Sequence, residues 1–278
     1  MNEPLPFKIR DYDRHLFRGR DARIAQRADL AVPQCLFCDA SNARSTREHV
    51  IPEWLQEYLG AQDQVVAPSR YQFRTDTFHD VRRKHLLSSV TCGEVCGDCN
   101  NGWMSELECR VEPTLKALIE GRRCDSTVKY DLCRWVAKTA VVLNYSMPYR
   151  LLWDPHSRHA IRTGLPPNTW YGMARSRTSD PAVDWSQGAP VEISVGSGLS
   201  QSEAEEFVES AHFLGLRLGR LVLRLIHDQG DYLFDVKGRF LAMDAQSRHP
   251  LKPLDAPRAG EHAVANPVHI RRLRRRFR

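Results

Sequence analysis

The chain has 278 residues, of which 42% are hydrophobic, with a net charge of +6 and eight cysteines. That apolar share fills a core for one large domain or two modest ones without help from disulfides. The longest apolar run, AVVLNYSM, is too short to span a bilayer, and MNEPLPFKIRDYDRHLFRGRD lacks the apolar centre of a secretory signal; the expected setting is the cytoplasm, with no membrane partner.

Residues 1–34 read as a charged lead-in. Its arginines at 10, 14, 18, 20, 23 and 27 are interspersed with aspartates, the pattern of a solvated helix face. In PEWLQEYLG, Pro52 at the first turn and Gly60 past the end predict a short helix that buries Trp54, Leu55, Tyr58 and Leu59. The polar, basic segment 61–91 predicts strand and loop inserted between two cysteine-containing stretches. Trp103, Leu107 and Val111 then recur at four-residue steps on one helix face, which Pro113 should end or kink. YDLCRWVAKTAVVLNYS predicts a second amphipathic helix with Leu132, Trp135, Val136, Thr139, Val142 and Leu143 on one side.

Beyond Pro148 the pattern changes. WYGMARS, VEISVG, LRLGRLVLRLI and YLFDVKGRFLAM are short and often alternating, which predicts antiparallel strands. Between them SQSEAEEFVESAHFL, with Ser200 and Glu203 in capping-box register, predicts a helix. The expected division is a lead-in at 1–34, a first domain at 35–121 with its insert at 61–91, a helical and mixed α+β unit at 122–264, and a basic tail at 265–278. The tail sequence HIRRLRRRFR holds six arginines, as many positive charges as the whole net charge of +6. Such a block is either a solvated tail or a phosphate-binding arm, and its candidate nucleic-acid contacts are Arg271, Arg272, Arg274, Arg275 and Arg276.

Cysteine spacing carries the sharpest signal. Cys35 and Cys38, then Cys96 and Cys99, form two C-x-x-C pairs 57 residues apart, while Cys92, Cys109, Cys124 and Cys133 show no regular spacing. Two such knuckles supply the four thiolates of a closed, tetrahedral, structural zinc site. The long gap is no obstacle, because loop-closure cost grows only logarithmically. Cys92 competes as a ligand, but the two-residue spacing makes the better knuckle.

Each pair has chemistry beside it. REHVIP follows the first, placing Glu48 against His49, and the second closes directly on Asn100 in CNNGW. A carboxylate and a neutral amide oxygen are hard donors suited to Mg2+ or Mn2+, and a neutral imidazole can take a proton from an attacking water. Asn101 is the rival of Asn100, favoured less because it stands one residue further from the cysteine.

CLFC, EHVIP and VCGDCN, in that order, resemble the zinc-stabilised branch of the HNH, or ββα-metal, endonucleases. The resemblance covers residues 35 to about 108 and implies a ββα-metal core on two zinc knuckles there; with the helix and strand patterns read beyond it, the expected fold class is α+β, that core followed by a helical segment and a mixed α+β unit with antiparallel strands. It implies His49 as general base, Glu48 and Asn100 as ligands of a catalytic Mg2+ or Mn2+, and Cys35, Cys38, Cys96 and Cys99 on a structural Zn2+. It also implies an endonuclease that hydrolyses phosphodiester bonds of nucleic acid, DNA in the first instance. Arg82, Arg83 and Lys84 in the insert are candidate phosphate contacts. The family's central Asn is absent, with Thr91 or a serine nearest its place, and Glu48 stands where Asp is usual. The alternative is therefore a zinc-stabilised nucleic-acid-binding or scaffold protein without cleavage. The C-terminal unit is a candidate surface for a homo-oligomer or a regulatory partner, as in a defence effector.

Overall fold

The computed structural model describes residues 34–38, 40, 45–66, 69–72, 77–80, 84–146, 153–187, 211–228, 234–237, 241–243, 254–255 and 269–272. The architecture is mixed α+β with antiparallel sheets. It begins with β1 (Ser45–His49), α1 (Glu53–Leu59), β2 (Val65–Val66), β3 (Ser69–Gln72), β4 (Thr77–Asp80), β5 (His85–Leu86) and β6 (Thr91–Cys96). The helical part comprises the single turn α2 (Gly97–Cys99), a π-type turn over Asn100–Met104, α3 (Ser105–Ile119), α4 (Lys129–Ser146) and α5 (Pro155–Thr163). The strands β7 (Thr169–Arg175), β8 (Val183–Gln187), β9 (Ala211–Leu218), β10 (Leu221–Asp228), β11 (Phe234–Lys237), β12 (Leu241–Ala242), β13 (Leu254–Asp255) and β14 (His269–Arg272) complete the described chain.

β1 pairs antiparallel with β6, and between them the described residues of the insert form the pairs β2–β5 and β3–β4. The predicted helix α1 forms with Gly60 as its left-handed cap at φ +60°, its N–H returning to Gln56 and Glu57 carbonyls. Its buried face differs from the expectation. Leu55 and Gln56 are the buried pair, with Gln56 Nε2 donating to the Ile51 carbonyl at 2.6 Å, while Tyr58 is exposed. Gln56 is buried because that bond ties α1 to the turn after β1.

α3 does not end at Pro113; it runs through to Ile119. Proline removes one helical hydrogen bond, to the carbonyl four residues back. Pro113 and Cys109 are both exposed, so water can satisfy that carbonyl, while Leu107, Val111, Thr114, Leu115 and Leu118 hold the other face in the core. The break falls earlier, at Gly102, whose φ −94° and ψ −113° kink the helix just after the second knuckle.

α4 forms as expected, but it is buried nearly all round rather than on one side. It packs on β6 with one face and on β10 with another, so both faces must be apolar. The large sheet has the order β12–β7–β10–β9–β8, with β13 parallel to β7 at the edge shared with β12. LRLGRLVLRLI proves to be a single hairpin, β9 to β10, turning on Gly219 and Arg220. Gly219 has φ +57°, which fits the hairpin turn that takes glycine at its first central position. A Cβ there meets Ile119 and Leu59 only at ordinary contact distances of 3.4 and 3.5 Å. Gly219→Ala is therefore a backbone penalty alone, expected to lower stability by about 1–2 kcal/mol and to shift the urea midpoint without changing the slope.

AHFL, predicted as the end of a helix, is the start of β9, paired along its length with β10 and, from Leu214 on, with β8 as well. The capping-box residues Ser200 and Glu203, and the strand expected at VEISVG, lie outside the described residues. One hydrophobic cluster joins Phe37, Leu55, Val95, Leu107 and Leu115 to Trp135, Val142, Leu216 and Leu223, so the knuckles, α4 and the large sheet share a core. Within it Trp153 stacks on His227 at 3.9 Å, and burial pushes the His227 imidazole down to about 4, so it packs as a neutral ring. No helix of the described residues is long and apolar enough to cross a membrane.

Candidate functional site

The four sulfurs of Cys35, Cys38, Cys96 and Cys99 lie within 4.8 Å of one another, although Cys35 and Cys99 are 64 positions apart in the chain. Cys38 Sγ and Cys96 Sγ are 3.7 Å apart. A tetrahedron with metal–sulfur bonds of about 2.3 Å has edges of about 3.8 Å, so the spacing fits a shared ion such as zinc. The backbone N–H of Cys96 donates to Cys35 Sγ, and that of Cys99 to Cys96 Sγ, both at 3.4 Å. Burial raises the thiol pKa of Cys35 and Cys99; at Cys96 burial acts the same way, but the Cys99 N–H and the neighbouring sulfurs outweigh it and the thiol goes down. Cys92 is outside the cluster: it stands in β6 opposite Glu48.

Three further contacts seat the knuckles. The Leu36 N–H donates to the Glu94 carbonyl at 2.9 Å, fastening the first knuckle to β6. Arg158 on α5 donates to the Leu36 carbonyl at 2.7 Å. Phe37, wholly buried, meets the edge of Trp103 with centroids 5.3 Å apart, and the guanidinium of Arg134 lies 5.0 Å over the same indole. Trp103 is thus a packing residue, as its helical spacing implies.

Asn100 follows the last cysteine and reaches back to β1. Its Nδ2 donates to Thr46 Oγ1 at 3.1 Å, and Thr46 Oγ1 in turn donates to the Val95 carbonyl at 3.0 Å. This chain fixes the amide so that Asn100 Oδ1 is left as an acceptor. Asn101 is exposed, one position round the turn. Between Thr46 and Glu48 the pairing with β6 slips by one residue, a bulge that brings Glu48 opposite Cys92.

Glu48 is buried and points into the helices. Its Oε1 accepts from Lys138 Nζ at 2.8 Å, and the same ammonium donates to Glu108 Oε1 at 2.7 Å. Lys138 is wholly buried; burial alone pulls its pKa down, but the two carboxylates more than reverse this and hold it above the ordinary lysine value. Glu48 retains its second oxygen for another ligand. One carboxylate oxygen and one amide oxygen are the donor types that Mg2+ or Mn2+ takes, with water completing the shell, so the residues fit such an ion.

His49 projects away from Glu48, as neighbours on a strand must. It is about a quarter exposed, at 27%, and its Nε2 lies 3.7 Å from Glu53 Oε1, an ion-pair distance too long for a hydrogen bond. Solvent can therefore reach the imidazole, whereas Glu48 is buried. Compared with known proteins, the chain matches no family model, no curated sequence and no solved structure.

The expected phosphate contacts are less defined. Lys84 is exposed just before β5, while Arg82, Arg83, Arg274, Arg275 and Arg276 lie outside the described residues. Arg271 and Arg272 belong to β14, whose backbone pairs with β11 opposite Asp235 and Phe234, so this part of the basic tail is a strand and not a free arm. Sequence reasoning missed Thr46, Glu108 and Lys138. The available signal for Lys138 was a single cation inside the apolar run WVAKTAVV, since a lysine there must find a counter-charge.

Proposed function

We propose that this chain is a metal-dependent endonuclease of the HNH kind, hydrolysing DNA phosphodiesters to leave 5′-phosphate and 3′-hydroxyl ends. The observation that carries this proposal is the junction at which Asn100, the residue after the second knuckle, is bonded to Thr46, two residues before Glu48 and three before His49. A strand ending in Glu-His, its antiparallel partner, and a helix starting at a cysteine pair together resemble a ββα-metal core on a zinc-type anchor.

In this assignment the four cysteines hold a structural Zn2+ and fix the start of α2. Glu48 and Asn100 would hold the catalytic Mg2+ or Mn2+. When bound, such an ion neutralises charge on the phosphodiester and on its leaving oxygen. His49, as a neutral imidazole open to solvent, accepts the proton of the attacking water. Thr46 keeps the Asn100 amide from turning its nitrogen toward the ion.

Supercoiled plasmid incubated with the metal-loaded protein should be nicked or linearised only when Mg2+ or Mn2+ is added. Asn100→Ala should slow cutting by about 10- to 100-fold and raise the divalent concentration needed, with structural metal content unchanged. Cutting that persists undiminished in EDTA-treated buffer counts against the assignment.

One observation favours a second reading. The Lys138 ammonium already pairs with Glu48, as it would in a protein that binds nucleic acid on a metal-stabilised scaffold without cleaving it. That protein would bind DNA with an affinity that falls steeply with salt, and would show no divalent-dependent cleavage.

A further inference from the structure

Lys138 is a buried charge to which the nuclease assignment gives no task. It lies within α4, between two carboxylates from two other elements: Glu48 at the end of β1 and Glu108 on α3. A structural cross-link from α4 to β1 needs one carboxylate. Here two converge on one ammonium, with side chains only 10% and 18% exposed, so the cation is fixed from both sides. The consequence falls on Glu48. A glutamate at a strand end beside a bulge has three side-chain torsions to settle, and binding one of its oxygens to a fixed amine settles them together. Outer partners of this kind orient metal ligands and set their affinity.

We propose that Lys138 is a positioning residue for Glu48, with Glu108 as the strut that holds the ammonium in place. Lys138 engages Oε1 of Glu48, and the second oxygen becomes the defined ligand for the divalent ion. This rests on the proposed nuclease site, but it concerns the binding of the ion and not the cleavage step. Lys138 itself has no exposed surface and does not touch substrate.

The test is a charge-balanced pair of substitutions. Lys138→Met removes a positive charge and Glu108→Gln a negative one, so the double variant keeps the net charge beside Glu48 and loses only the clamp. Mn2+ binding is measured by room-temperature electron paramagnetic resonance on protein whose cysteine site is already filled. Glu48→Gln identifies the Glu48-dependent site. The double variant is expected to weaken Mn2+ binding by about 10- to 100-fold and to raise the Mn2+ concentration for half-maximal cutting in step, while KM for DNA and cysteine-bound metal stay unchanged.

Wild-type Mn2+ affinity in the double variant overturns the proposal. So does tighter binding in Lys138→Met alone, because Lys138 would then be a competitor of the ion and not its organiser. If the double variant does not fold, Glu108→Gln alone decides: Lys138 loses its strut, Mn2+ affinity should fall several-fold, and no change overturns the clamp. Wild-type protein that binds Mn2+ through Glu48 without cutting DNA removes the nuclease assignment and leaves the clamp standing. Protein that cuts DNA with unaltered Mn2+ affinity in the double variant does the reverse.

Discussion

His49→Ala is expected to reduce divalent-dependent plasmid cleavage by at least about 100-fold, the lower end of what a positioned general base contributes. The side chain is at the end of β1, partly open to solvent, with Glu53 as its nearest charged neighbour at 3.7 Å. Its ion-pair partner is itself a surface glutamate, so the variant should melt within a few degrees of wild type and carry the same metal content. This separation gives the experiment its force. A structural histidine would lower stability and activity together, and an incidental one would change neither. Cleavage by His49→Ala at the wild-type rate would remove the base from the proposed mechanism. Loss of cleavage together with loss of bound metal would mean that His49 supports the cysteine site instead.

The parts of this site that were legible in the sequence are those encoded locally. A C-x-x-C pair declares itself within four residues, and the position of Asn100 relative to Cys99 needs no tertiary information. α1 was legible for the same reason, since Pro52 and Gly60 mark its ends. What the sequence did not reveal depends on contacts between distant residues. Lys138 finds Glu48 across 90 positions and Glu108 across 30, and no periodicity in α4 points to either. The absence of a break at Pro113 depends on which side of α3 faces water. AHFL had a helical signal upstream of it, but the ladder with β10 pairs all four of its residues, with β8 joining on the other side from Leu214, and prevails. The all-round burial of α4 follows from its place between the β1–β6 hairpin and the large sheet, which composition alone does not specify.

Cys96→Ser is expected to have the largest structural effect of any single substitution. Cys96 ends β6, its sulfur is 3.7 Å from that of Cys38, and it accepts the Cys99 N–H that starts α2. Removing it takes one of four ligands from the metal and the cap from the helix that carries Asn100. Structural zinc contributes on the order of 10 kcal/mol in small zinc-dependent folds, comparable with the roughly 5–15 kcal/mol that holds a whole domain folded. The knuckles cannot unfold by themselves, because Cys35, Phe37 and Cys99 lie in the same hydrophobic cluster as Trp135 and Leu216. The variant should therefore lose bound metal, fall in Tm by well over ten degrees or fail to accumulate, and show no cleavage. Cys109→Ser is the matched control: that cysteine is exposed and outside the four, so its effect should stay within about 0.5 kcal/mol. Metal analysis and thermal melting of the two variants side by side distinguish a load of structural metal from a chance gathering of thiols. If Cys96→Ser keeps its metal and its Tm, the cysteine cluster is not the anchor of this fold, and the alignment of Asn100 with Thr46 must come from the hairpin alone.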